Sequence, residues 1–309
     1  MSVNNNIVSE LKNLLTISSG LNDDGGNTRF KNIMLKMMTD ICETIDQFDI
    51  TDEEFWQAVN YINLLGERKE TALLAAGLGI EHYLDLRADA IEAQQGNAQG
   101  TPRTIEGPLY VANAPLSQHT ARMDDGTDAG EIMWLYGQVT DTAGAPVANA
   151  VVDVWHANTL GNYSFFDKSQ SEYNLRRRIR TGADGRYAVR SIMPSGYGCP
   201  PDGPTQALLN QLGRHGNRPA HIHFFISAPG YKHLTTQINL NGDKYLWDDF
   251  AFATRDGLIA DPVKVTDVNI ASQRDINQPH TEVNFNFTLC SANEQHEEQR
   301  SNRARALQS

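Results

Sequence analysis

One stretch constrains the architecture more than any other: Arg218-Pro219-Ala220-His221-Ile222-His223-Phe224-Phe225-Ile226. Two histidines one residue apart lie inside an apolar and aromatic run, which reads as a β-strand. Side chains alternate faces along a strand, so His221 and His223 project to the same side, roughly 7 Å apart. Two imidazoles so placed can share one metal ion, and the guanidinium of Arg218 sits just ahead of them. The spacing suggests an oxidative or hydrolytic metal centre built on a β framework.

The rest of the chain divides by texture. The first ~100 residues read as helical. Ile7, Leu11, Leu14 and Leu15 recur at helical spacing, as do Phe30, Ile33, Met34, Met37, Met38, Ile41 and Ile45. Thr51-Asp52-Glu53-Glu54 is a capping box that opens a helix carrying Phe55, Val59, Ile62 and Leu65 and ending near Gly66. A further helix is expected from Ile80 to Ala93. Beyond residue 100, glycine and proline punctuate short β-rich runs: Ile132–Thr140, Ala150–His156, Arg186–Arg190, His221–Ser227, Leu234–Leu240 and Glu282–Leu289. Gly137 to Val147 reads as strand, turn, strand. The expectation is an α+β fold: a helical region at 1–100 for dimerisation, a β-sandwich catalytic region at 101–290 and a polar tail at 291–309.

Charge excludes some partners. The formal net charge is −12, with no positive field to offset phosphate repulsion, so neither nucleic acid nor an anionic membrane is expected. The short basic run Arg176-Arg177-Arg178-Ile179-Arg180 reads as a solvated strand or loop edge. No stretch approaches the ~20 apolar residues of a membrane span, and the first residues carry no secretory pattern. Cys42, Cys199 and Cys290 are far apart and odd in number, which points to a reducing, cytoplasmic compartment.

Two histidines alone do not fix a metal. A zinc hydrolase would add a third ligand, and Asp248-Asp249 offers a carboxylate. Tyrosine is the other source, since a phenolate is a hard anionic donor that a strong Lewis acid such as ferric iron favours. Tyr163 follows a strand, and Tyr197 lies in the loop Pro194-Ser195-Gly196-Tyr197-Gly198-Cys199-Pro200, yet spacing singles out neither among ten tyrosines.

Tyr163, the Gly196-Tyr197-Gly198-Cys199-Pro200 loop and the Arg218-Pro219-Ala220-His221-Ile222-His223 run together resemble the intradiol ring-cleaving dioxygenases. The N-terminal helices, Thr101-Pro102-Arg103-Thr104-Ile105-Glu106-Gly107-Pro108-Leu109-Tyr110, Gly213-Arg214-His215-Gly216-Asn217 and Leu234-Thr235-Thr236-Gln237 narrow the likeness to the catechol 1,2-dioxygenase group. The resemblance implies a mononuclear non-haem Fe(3+) ion held by Tyr163, Tyr197, His221 and His223, with a solvent hydroxide. It implies catechol and dioxygen as substrates and cis,cis-muconate as product.

By the same resemblance Tyr197 is released when substrate binds, and either it or the bound hydroxide takes a substrate proton. Arg218, close to His221 in the sequence, is placed to stabilise negative charge on the substrate, and Gln237 to orient Arg218 or a ligand. The implied pocket walls are Leu73, Ile105, Pro108, Leu109, Phe250 and Ala251. Leu73-Leu74-Ala75-Ala76 departs from members with a proline near its end. The group pairs as homodimers through its N-terminal helices, with phospholipid found at that contact. Hydroxyquinol and chlorocatechol enzymes share the ligands and remain alternatives. The strand pattern from Gly137 to Trp155 also resembles prealbumin-like binding domains, which would need neither iron nor oxygen.

Overall fold

The computed structural model describes residues 5–96 and 99–292. The polar tail expected at 291–309 lies almost wholly outside the described residues. Five helices come first: α1 (Asn5–Ser18), α2 (Thr28–Phe48), α3 (Asp52–Arg68), α4 (Thr71–Gly77) and α5 (Ile80–Gln94). Then come β1 (Leu116–Gln118), β2 (Thr120–Arg122), β3 (Ile132–Asp141), β4 (Val151–His156), β5 (Arg176–Arg180), β6 (Arg186–Ile192) and β7 (Tyr197–Gly198). After α6 (Pro204–Gln211) follow β8 (Asn217–Arg218), β9 (His221–Ser227), β10 (Leu234–Leu240), β11 (Ile259–Ala260) and β12 (Val263–Val265). Helix α7 (Val268–Gln273), β13 (His280–Asn284) and β14 (Phe287–Leu289) complete the order. Among the described residues no helix is long and apolar enough to cross a membrane.

The chain forms two compact units that divide between Gly66 and Glu67. In the first, the Asn27 side chain caps α2 by accepting from Phe30 N at 3.0 Å. The capping box before α3 is present: Glu54 Oε2 accepts from Thr51 N at 2.9 Å, and Glu54 N donates to Thr51 Oγ1 at 3.3 Å. Helix α2 buries none of its residues, and Phe30, Ile33, Met37 and Ile41 are exposed along one stripe.

The second unit is a sandwich. One sheet runs β1-β5-β4-β9-β10-β11; the other runs β12-β13-β3-β6-β2, with β14 also on β3. Between them lies a core to which the first sheet gives Val152, Val154, Ile222, Phe224, Ile226, Ile238 and Leu240, and the second Met133, Leu135, Val139, Val189, Val283 and Phe287. Alternation then sends His221, His223 and Phe225, with Asp153 and Trp155, to the outer face of the first sheet. That face is covered too, so β9 is buried at six consecutive positions.

Three differences from the sequence reading have physical causes. Arg176–Arg180 is not a solvated edge: β5 is an inner strand between β1 and β4, and Arg176 is fully buried. The run expected as one strand to Leu289 is broken, because Phe285 N donates to Tyr136 O while its neighbours pair with β3 in two separate ladders. The segment after the turn at Asp141–Ala145 makes only an isolated bridge, Thr140 to Pro146, before β4 begins at Val151.

Candidate metal centre

The site is assembled by strand pairing. In β9, His221 and His223 share the outer face, with His223 opposite both Gln237 of β10 and Trp155 of β4. The short pair β7–β8 sets Tyr197 directly opposite Arg218, three residues before His221. Tyr163 arrives on the loop after β4. Gly161 lets that loop approach, since a Cβ there would lie 2.6 Å from Tyr197 Cβ, and its φ is +81°.

Four donor atoms converge. Tyr163 Oη lies 3.5 Å from Tyr197 Oη and 3.4 Å from His221 Nε2. His221 Nε2 lies 3.3 Å from Tyr197 Oη and 3.1 Å from His223 Nε2. Donors about 2.1 Å from a shared ion sit about 3.0 Å apart at right angles and about 3.4 Å apart at the tetrahedral angle. These four separations fall in the range expected of neighbouring donors in one coordination shell. His221 Nδ1 donates to Pro219 O at 2.7 Å, which leaves Nε2 as the lone-pair nitrogen facing the other donors. Trp155 stacks on the His223 ring at 5.0 Å and 5°.

The electrostatics also suit a cation. Burial, then Arg218, holds His221 well below the usual imidazole range; burial, then His221, does the same for His223. Both rings are neutral and can donate lone pairs. Burial, then the neighbouring Tyr197, pushes the Tyr163 phenol well above its ordinary value. That hydroxyl ionises only if a strong Lewis acid replaces its proton. Among the described residues no group of three His, Cys, Asp or Glu side chains could hold a metal, because half of this donor set is phenolic.

Arg218 is buried beside the donors. Its Nε and Nη2 donate to Asp249 Oδ1 and Oδ2, each at 3.1 Å, and Nη2 also donates to Gln237 Oε1 at 2.8 Å. Nη1 remains, 3.0 Å from His221 Nε2 and 3.5 Å from Tyr197 Oη. Burial works against this charge, but Asp249, with Tyr197 and Tyr163, more than offsets it and raises the guanidinium pKa further. Gln237 Nε2 in turn donates to Asn239 Oδ1 at 2.8 Å. Asp249, a carboxylate that the hydrolase reading offered as a possible ligand, is thus committed to Arg218. Its partnership spans 31 residues, and no local pattern announces it.

The expected pocket walls fall in two groups. Ile105, Phe250 and Ala251 are buried with Ala76, Cys199, Leu209 and Ala253, and Leu73 packs partly buried against them. Leu109 packs instead with Trp155, Tyr163, Phe225 and Tyr197, while Pro108 is exposed. A cavity of about 760 Å³ lies further along the outer face, lined by Ile105, Tyr110, Asp153, Arg178 and Phe225 among others. None of the four donor residues and not Arg218 lines it, so the convergence of donors, not volume, locates the candidate chemistry.

The sequence matches the family model described as "Dioxygenase" over residues 105–291 and that described as "Catechol dioxygenase N terminus" over 27–96. The chain belongs to the catechol 1,2-dioxygenase family. It is 54% identical to the catechol 1,2-dioxygenase of Pseudomonas sp. (strain EST1001), covering 91% of this chain and 93% of that one. The crystal structure of the Pseudomonas arvilla C-1 catechol 1,2-dioxygenase superposes with a TM-score of 0.92 at 58% identity, over 97% of each chain. A hydroxyquinol 1,2-dioxygenase of Rhizobium sp. (strain MTP-10005) is 35% identical over 81% of this chain and 85% of its own. Within this family frame, Tyr163, Tyr197, His221 and His223 are the donors whose chemistry fits a ferric ion, two hard phenolates and two imidazoles.

Proposed function

We propose that this protein cleaves catechol between its two hydroxylated carbons with dioxygen, giving cis,cis-muconate at a ferric ion held by Tyr163, Tyr197, His221 and His223. The observation that carries the reading is the approach of two phenol oxygens and two imidazole nitrogens to within 3.1–3.5 Å of one another along the edges Tyr163–Tyr197, Tyr163–His221, Tyr197–His221 and His221–His223. Catechol is favoured over hydroxyquinol and chlorocatechol because identity to the two relatives above named for it is 54% and 58%, against 35% for a hydroxyquinol and 34% for a chlorocatechol 1,2-dioxygenase. A ferric ion held by these four residues would supply the Lewis acidity that activates catechol towards dioxygen.

The protein's own residues do the rest. Tyr163, fully buried, stays in place as an anionic ligand. Tyr197, less buried, gives up its position as substrate arrives, and its Oη takes one substrate proton. Arg218 Nη1, aimed by Asp249 and Gln237, faces the oxygen on which negative charge builds, in a pocket where little water competes. Leu73, Ile105, Pro108, Leu109, Phe250 and Ala251 form the apolar wall around the ring.

The same reading assigns residues 1–100 to dimerisation, 101–290 to catalysis and 291–309 to a tail. The exposed stripe of α2 supports a homodimer, with a phospholipid as a further occupant of the apolar contact. The cytoplasm is the proposed compartment.

Oxygen consumption with catechol, read with the ultraviolet absorption of the product, tests the activity. The expected result is one dioxygen taken up per catechol, lost on chelation of iron and regained on its return. Iron-replete protein that takes up no oxygen with catechol overturns the reading.

A further inference from the structure

Strand β5 places Arg176 opposite Trp155, which lies opposite His223. The three form one row across the outer face of the sheet. Arg176 is 1% exposed and is among the largest fully buried side chains. Its Nε donates to Ser164 Oγ at 2.9 Å and its Nη2 to Ser164 O at 3.0 Å. Ser164 immediately follows Tyr163, and the guanidinium carbon lies 5.8 Å from the centre of the Tyr163 ring.

This cation is under-compensated. Nη1 is buried with no hydrogen-bond partner, and among the described residues Arg176 forms no ion pair. Burial lowers its pKa to about 10, against the opposing pull of Tyr163 and Asp153, so the group is charged at neutral pH. A buried charge with no carboxylate in ion-pair contact is costly and is seldom kept without a use. Tyr163 is the ring it faces, and Tyr163 becomes an anion only as a phenolate ligand.

We infer that Arg176 is a positioning residue for Tyr163: it pins the loop through Ser164 and stabilises negative charge on the phenolate, so that less of that charge passes to the metal. This rests on the ferric reading above. A phenolate whose electrons are held lower by a nearby cation absorbs at higher energy when it transfers charge to ferric iron. A metal that receives less charge also remains the stronger acid towards the incoming catechol oxygens.

The test compares iron-loaded wild-type, Arg176→Lys and Arg176→Met proteins, with iron per chain measured in each. The readout is the visible tyrosinate-to-iron band. In Arg176→Met the band moves to longer wavelength and kcat falls about 3- to 30-fold. In Arg176→Lys the band stays near the wild-type position. Ser164→Ala, which removes one tether and keeps the cation, gives a smaller shift in the same direction; it serves if the methionine variant fails to fold. A band unmoved in Arg176→Met, or unmoved in Ser164→Ala where that variant stands in, overturns the inference. So does a band moved equally by lysine and methionine, since a steric peg would give that result. If iron-loaded wild-type protein lacks the band altogether, the ferric reading itself fails, which is a separate outcome.

Discussion

Among single residues, Asp249 has the clearest consequence. Its side chain is 1% exposed and takes both Nε and Nη2 of Arg218, while its Oδ1 also accepts from Ala251 N at 3.0 Å. Removing one partner of such a pair strands the other charge in a medium that solvates it poorly. Asp249→Ala is therefore expected to cost about 3–5 kcal/mol of stability, read as a lower urea midpoint. It should also free Arg218 Nη1 from its aim and lower kcat more than it raises KM for catechol. A variant as stable and active as wild type would show that the pair positions nothing. Asp249 was visible in the sequence as a spare carboxylate, but its role was not. The histidine pair was legible because strand alternation with period two is local. Tyr163 sits in a loop and Tyr197 in a two-residue strand, both too short for a periodic pattern, and only the family resemblance singled them out. Arg176 was misread because an outward-facing strand position is ordinarily wet, whereas here the outer face is covered.

Among elements, α5 is held by charge more than by apolar packing. Glu81 is its only buried residue, while Tyr83, Leu84, Leu86 and Ile91 are exposed. Asp89 accepts from Arg103 Nε at 2.8 Å and from Arg255 Nη2 at 2.7 Å, and Glu92 lies 3.3 Å from Lys232 Nζ. Helical spacing revealed this helix, but periodicity says nothing about which cations dock it. Asp85 stands on the same acidic stripe without such a match. Its Oδ2 is buried with no hydrogen-bond partner, and burial raises its carboxyl to about 6 despite Arg103 and Arg255. The folded-state value lies above the unfolded value of about 4, so the folded chain holds the extra proton between roughly pH 4 and 6. Stability from this group is thus present at low pH and lost as pH rises through that window. Asp85→Asn should accordingly raise stability at pH 7 by on the order of 2 kcal/mol, with the gain vanishing near pH 4. Urea titrations at the two pH values check it, and a gain equal at both would remove the protonation account.

For the whole molecule, the sandwich and its donor set belong to residues after Glu67, whereas α2 of the first unit carries an exposed apolar stripe. On α2, Phe30, Met37 and Ile41 are 61%, 52% and 53% exposed, and with Ile33 they follow helical spacing on a single stripe. Such a face in water costs free energy unless something covers it, and a second copy offers the same stripe in return. The wild-type chain is expected to sediment as a dimer at micromolar concentration. Placing carboxylates on the stripe, as in Met37→Glu with Ile41→Glu, would bury unpaired charges on association at several kcal/mol each, weakening the dimer at least about a thousandfold. All four candidate ligands lie between Tyr163 and His223, so the same variant should keep its iron and its visible band while sedimenting as a monomer. If the charged variant remains dimeric, the contact is built elsewhere. If it loses iron on becoming monomeric, the two units depend on each other in a way that the donor geometry alone does not require.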